Sequence, residues 1–101
     1  MIYNLSVPGP IEDVEEVRVL EWHSTVGGVC EAGELIVEME THKAIVEVRA
    51  GQRGILRTIL VQAGDWQAIG RPLALLSDAA GEPLPASDEG TTPLIVEFEI
   101  S

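Results

Sequence analysis

The sequence predicts an all-β domain, folded as a small two-sheet sandwich with pseudo-twofold symmetry. Three observations lead there. Hydrophobic residues make up 46% of the 101 positions and aromatic ones only 4%. The core must therefore come from Val, Leu, Ile and Ala, and the β-branched types among these favour strands. Short strand-like runs alternate with glycines, and no stretch carries a convincing helical periodicity. Finally, Gly27-Gly28-Val29-Cys30-Glu31-Ala32-Gly33 is matched by Gly64-Asp65-Trp66-Gln67-Ala68-Ile69-Gly70, an offset of 37. A strand-type run precedes each copy, Val17 to Trp22 and Ile55 to Val61, and another follows, Leu35 to Thr41 and Leu73 to Ser77. One-sided sheets must bury their apolar faces, and two copies facing each other supply the cover.

Length and charge narrow the function. A chain of 101 residues supports one modest core. Acidic residues outnumber basic ones 17 to 6, for a net charge of −11. Phosphate binding needs clustered Lys and Arg, so nucleic acid and anionic membranes are excluded as partners, whereas basic proteins suit this surface. Cys30 is the sole cysteine, which rules out an internal disulfide and Cys-rich zinc motifs. It is expected to be a small packed thiol. His23 and His42 lack metal-ligand spacing with each other or with Cys30, and no catalytic constellation emerges. Trp22 and Trp66 are expected to pack, each near a glycine turn. No apolar run approaches the roughly 20 residues of a membrane span, and Met1-Ile2-Tyr3-Asn4 does not open a signal peptide. The expectation is a soluble, cytoplasmic chain.

Along the chain, residues 1–78 form the expected domain. Residues 79–93, rich in Ala, Gly, Pro, Ser and acids, are expected to be a flexible linker. Residues 94–101 form a strand-like tail that could pair with an edge of the sheet or with a partner.

The most informative segment runs from Leu35 to Arg49. Before its turn the apolar residues Leu35, Val37 and Met39 occupy odd positions; afterwards Ala44, Val46 and Val48 occupy even ones. A strand that folds back through a two-residue loop requires this switch of parity. With His42-Lys43 as the loop, Met39 faces Val46, Val37 faces Val48 and Thr41 faces Ala44, since hairpin register follows the face that must be buried. The same register sets Glu38 against Glu47 on the outer face, and like charges directly opposed are destabilising. With Glu40 nearby they make an acidic rim, either an ordinary solvated face or a recognition surface for a modifying enzyme. Lys43 is the only lysine in the chain, and a primary amine can form an amide where Arg cannot.

These residues resemble the biotinyl/lipoyl attachment domains. Glu40-Thr41-His42-Lys43-Ala44 is similar to the lipoyl motif Glu-x-Asp-Lys-Ala, with His42 standing where the family usually has Asp. Gly33 to Met39, Val46-Glu47-Val48, Gly54-Ile55-Leu56 and Val61-Gln62-Ala63-Gly64-Asp65 fit the family as well, so the resemblance covers roughly residues 2–78. It implies a flattened β-barrel, or barrel-sandwich hybrid, of two four-stranded antiparallel sheets. The repeat carries Lys43 onto Ala80, which places the termini at the opposite end from the lysine. Biotin carriers typically flank their lysine with methionines, so His42 and Ala44 favour lipoyl over biotinyl. His42 is expected to serve the turn, since His tolerates turn conformations.

The resemblance implies lipoic acid attached covalently to Lys43, with Glu40, Thr41, His42 and Ala44 as turn and recognition context. The arm would shuttle acyl groups and reducing equivalents within a 2-oxo acid (or acetoin) dehydrogenase-type complex. The implied partners are a lipoate-attaching enzyme, a thiamine-diphosphate-dependent dehydrogenase, an acyltransferase and a dihydrolipoyl dehydrogenase. The domain itself would be a carrier with no catalytic group. Two alternatives stay open: a biotinyl carrier of a carboxylase, and an unmodified lipoyl-like module for protein interaction.

Overall fold

The computed structural model describes residues 1–101 and holds ten strands and no helix. In chain order they are β1 (Ile2–Ser6), β2 (Glu16–Trp22), β3 (Val29–Cys30), β4 (Leu35–Glu40) and β5 (Ile45–Ala50). Then follow β6 (Gly54–Ile59), β7 (Trp66–Ala68), β8 (Pro72–Ser77), β9 (Thr92–Pro93) and β10 (Val96–Ile100). One sheet has the order β3-β6-β8-β1-β9 and the other β10-β5-β4-β2-β7. Between them lies one core in which Leu5, Val17, Val19, Ile36, Val37, Met39, Val46, Val48, Leu56, Leu73, Ala74 and Leu76 are almost wholly buried. With no helix, none is long and apolar enough to cross a membrane.

The sequence repeat is reproduced hydrogen bond by hydrogen bond. Gly27 N–H donates to Leu56 O, and its mate Gly64 N–H donates to Val19 O. Leu56 N–H returns to Gly28 O as Val19 N–H returns to Asp65 O. Gly33 N–H reaches Ala50 O and Gly70 N–H reaches Val7 O. Each glycine segment thus bonds to a strand of the other copy, and β3 and β7 cross to opposite sheets. The four glycines share one conformation, with φ of 91°, 91°, 97° and 83° for Gly27, Gly33, Gly64 and Gly70. L-residues avoid this region, because Cβ crowds the following carbonyl.

Each sheet has five strands where four were expected. One extra strand comes from the end of the segment expected to be a linker, Thr92–Pro93, which runs parallel to β1, and the other from the tail, Val96–Ile100, which runs antiparallel to β5. The question of what the tail pairs with is settled in favour of the chain's own sheet edge. Between the two strands Leu94 is 6% exposed and donates its N–H to Asn4 O. Gly51 N–H donates to Ile95 O, and a Cβ at Gly51 would lie 2.9 Å from that same oxygen. Glycine there allows the close approach.

Three other expectations change. The N-terminus does lie far from Lys43, ion-paired with Asp78 and Glu82. The C-terminus does not, because β10 runs back along β5 until Ser101 and Ile45 exchange both backbone hydrogen bonds. Leu35 is only half-buried and Ile36 fully so, since a bulge between Leu35 and Val37 shifts the register. Trp22 packs against the core and donates Nε1–H to Val61 O. Trp66, by contrast, is 54% exposed. It sits on the short edge strand β7, opposite Arg18 of β2, with no facing sheet to cover it.

The equivalence of the copies is open to test. Nothing lies within 4 Å of a Cβ built on Gly33 or Gly70, so alanine there meets no clash and only the backbone conformation costs. Gly33→Ala and Gly70→Ala should each lose about 1–2 kcal/mol, and by similar amounts, in denaturant unfolding. A loss at one site alone would break the equivalence.

Candidate functional site: a lysine at a hairpin tip

The hairpin has the register expected from parity. Met39 pairs with Val46, Val37 with Val48 and Glu38 with Glu47, and His42 and Lys43 are both exposed at the tip. Thr41 closes the turn. Its N–H donates to Ala44 O at 2.8 Å, while its Oγ1 accepts N–H bonds from Lys43 and Ala44, each at 3.0 Å. A single side chain thereby satisfies two turn amides, as Thr and Ser do in local side chain-to-backbone motifs. The Lys43 side chain, 54% exposed, points its Nζ to Asp13 Oδ2 at 3.2 Å. An ion pair so open to solvent contributes little to stability; it orients the amine.

Asp13 was not singled out in the sequence. It lies in the loop between β1 and β2 and is the one non-glycine residue with positive φ, at 61°. The repeat held a signal for this loop. Pro8–Glu15 stands where the second copy needs only Gly51-Gln52 between the mates of Val7 and Glu16, so this copy carries an insertion beside the tip. His42 has ordinary negative φ, and tolerance of an unusual conformation does not account for it. It lines a shallow depression with Asp13, Val14, Glu15, Glu16 and Trp66. Glu40 pairs with Arg18 at 3.1 Å, and Ala44 is half-buried beneath the tip.

Away from the tip, the outer face carries a row of carboxylates. Glu21 stands opposite Glu38, Glu38 opposite Glu47, and Glu47 opposite Glu99. His23 caps one end, its Nε2 lying 2.5 Å from Glu38 and 3.1 Å from Glu21. The hairpin register had given Glu38 opposite Glu47; Glu21, Glu99 and His23 join them from other segments, which sequence spacing could not show. Cys30 is buried as expected, 1% exposed, and desolvation pushes its thiol above the usual range. A raised value keeps it the neutral thiol, a poor nucleophile.

Comparison with known proteins adds a family. A family model described as "Biotin-requiring enzyme", the biotin/lipoyl model, matches residues 4–76. The succinyltransferase component of the Bacillus subtilis 2-oxoglutarate dehydrogenase complex is 34% identical over 86% of this chain and 21% of its own length. The acetyltransferase component of the Haemophilus influenzae pyruvate dehydrogenase complex is 39% identical over 76% of this chain and 13% of its own. The chain therefore spans about a fifth, or less, of these relatives. The solution structure of the lipoyl domain of the Azotobacter vinelandii 2-oxoglutarate dehydrogenase complex superposes with a TM-score of 0.65 at 30% identity. That match covers 76% of this chain and 98% of the other.

Two outcomes follow from the site's geometry. Thr41→Val removes the acceptor shared by two turn amides and should cost about 0.5–1.5 kcal/mol. The checkable sign is faster hydrogen exchange at Lys43 and Ala44, with β2 and β6 unchanged. Glu47→Lys turns two repulsive cross-strand oppositions into attractive ones and should raise stability by a few tenths to about 1 kcal/mol. Unfolding at low and high salt tests this, since the gain must shrink as salt screens it.

Proposed function

The chain belongs to the biotin/lipoyl attachment family, and on that premise we propose that it is a lipoyl carrier domain with Lys43 as its attachment residue. The observation that carries this is the exposed primary amine of the sole lysine, held at the two-residue tip of a register-locked hairpin. The residues present fit such a group. Nζ is solvent-exposed, its one ion-pair partner is the still more open Asp13, and the tip projects beyond the β4–β5 ladder. Neither neighbour of Lys43 is the methionine typical of biotin carriers, and the relatives named above are dihydrolipoyllysine acyltransferase components.

When bound, a lipoyl group supplies a dithiolane that takes up an acyl group and reducing equivalents at one enzyme and releases them at others. The protein's part is positional. Thr41 fixes the turn, the β4–β5 register aims Lys43 away from the core, and tethering raises the arm's effective concentration at its partners. Loading converts the Lys43 ammonium to a neutral amide and so ends the pairing with Asp13.

The partners in this reading are a lipoate-attaching enzyme and the components of a 2-oxo acid dehydrogenase-type complex. Those are a thiamine-diphosphate-dependent dehydrogenase, an acyltransferase and a dihydrolipoyl dehydrogenase. The acidic surface suits basic docking sites on them, and the cytoplasm is the proposed location.

Intact mass of protein produced in cells with both lipoate- and biotin-attaching enzymes tests the proposal. One added lipoyl group, abolished by Lys43→Arg, is expected. A biotin-sized increment would assign the domain to biotin, and an unshifted mass under all growth conditions would leave an interaction module.

A further inference from the structure

A second feature borders Lys43. A groove of about 330 Å³ is lined by Ile11, Val14, Ala44 and Ile100, together with Thr41, Glu12 and Lys43 itself. Its walls come from three separate parts of the chain. Ile11 and Val14 are bridged to each other across the β1–β2 loop and pack on the core. Thr41 and Ala44 belong to the hairpin. Ile100 ends β10, held beside the tip by the paired hydrogen bonds of Ser101 and Ile45. It keeps 49% of its surface exposed although it stands opposite buried Val46, as Phe98, opposite buried Val48, keeps 39%.

We propose that this groove is the resting site of the lipoyl arm on Lys43, and that β10 supplies the wall that completes it. This rests on Lys43 being the attachment residue. The occupant follows from tether, charge and chemistry. The arm begins at an atom of a residue lining the groove, so weak contacts suffice to hold it, the second event being intramolecular. In the unmodified chain the ammonium is drawn to Asp13 at 3.2 Å. The loaded amide has no charge to hold it there, and the side chain is free to turn to the apolar wall. An alkyl chain ending in a dithiolane matches four aliphatic side chains, and the volume falls at the small end of ligand sites, about 300–1,000 Å³. The arm would lie sheltered between visits to its partners.

The full chain is to be loaded with a lipoyl group, confirmed by intact mass. Because Lys43 is the sole lysine, an activated ester of lipoic acid can install the arm even where no cellular enzyme does, which separates failure of this proposal from failure of the attachment reading. Met1, the other amine, lies at the far end. Two readouts follow: methyl NMR shifts on loading, and the rate of dithiolane reduction by a water-soluble phosphine. Loading should shift the methyls of Ile11, Val14 and Ile100 and leave those of Ile95 unmoved. An arm resting about three-quarters of the time is reduced roughly fourfold more slowly than free lipoamide. Ile100→Asp should restore the free rate, while Ile95→Asp, at a still more exposed position of the tail, should not. Should Ile100→Asp disturb the fold, Val14→Thr must show a partial loss of protection. Reduction at the free-lipoamide rate, with shifts confined to Lys43 and its neighbours, overturns the proposal. So does movement of the groove methyls only when a partner subunit is added.

Discussion

The structure depends on one constraint: neither copy of the repeat can satisfy its own backbone. The glycine segment of the first copy bonds to β6 of the second, and that of the second bonds to β2 of the first. Each apolar face is covered only when the other copy is present, so half a domain would expose its core to water and leave its glycine segments without their backbone partners. Gly27, Gly33, Gly64 and Gly70, all at positive φ, make the exchange possible, because they turn the chain sharply enough to carry β3 and β7 across to the opposite sheet. Every other feature is mounted on this interlocked body.

Symmetry then explains the site by being broken. At one end the β4–β5 connection is a closed hairpin, with Thr41 gathering the amides and Lys43 facing solvent. At the other end the equivalent position is the exit from β8 at Asp78, where the chain leaves the sheets and Met1 is ion-paired. A twofold fold has two such corners, and only one presents a closed turn to solvent, the other being occupied by the ion-paired N-terminus. The longer β1–β2 loop falls at that same corner, bringing Asp13 and Val14 alongside the lysine. The hairpin presents the amine, and the loop decides what surrounds it.

How much of this was legible follows from where each signal resides. Parity lies within one segment, so Met39 opposite Val46 could be placed from sequence, and Lys43 with it. The repeat was legible as well, because its glycines answer to a backbone requirement that no other residue meets easily. Contacts made between distant segments left no such trace. Asp13 reaches Lys43 across 30 residues, His23 meets Glu38 across neighbouring strands, and Ile100 arrives at the tip only because the tail doubles back. Trp66 was misplaced for a related reason: near a glycine turn it looks like core, yet β7 is an edge whose outward face nothing covers. His42 shows the reverse error, a conformational role assigned to a residue whose backbone is ordinary.

The tail illustrates how opposing terms settle such a feature. Glu99 docks against Glu47, already facing Glu38, so the outer face of β10 is electrostatically unfavourable near the tip. Closer to the anchor, Glu97 stands opposite Arg49, Leu94 is buried, and Gly51 admits the backbone of Ile95. Attraction is therefore concentrated at the start of the tail and repulsion toward its end, while the ladder to β5 runs the whole length. At its far end the ladder closes with the two hydrogen bonds that Ser101 and Ile45 exchange. Backbone bonding there holds the end of β10 beside Lys43 against the repulsion on its outer face, and a cross-strand repulsion of a few tenths to about 1 kcal/mol is small enough to be offset in this way.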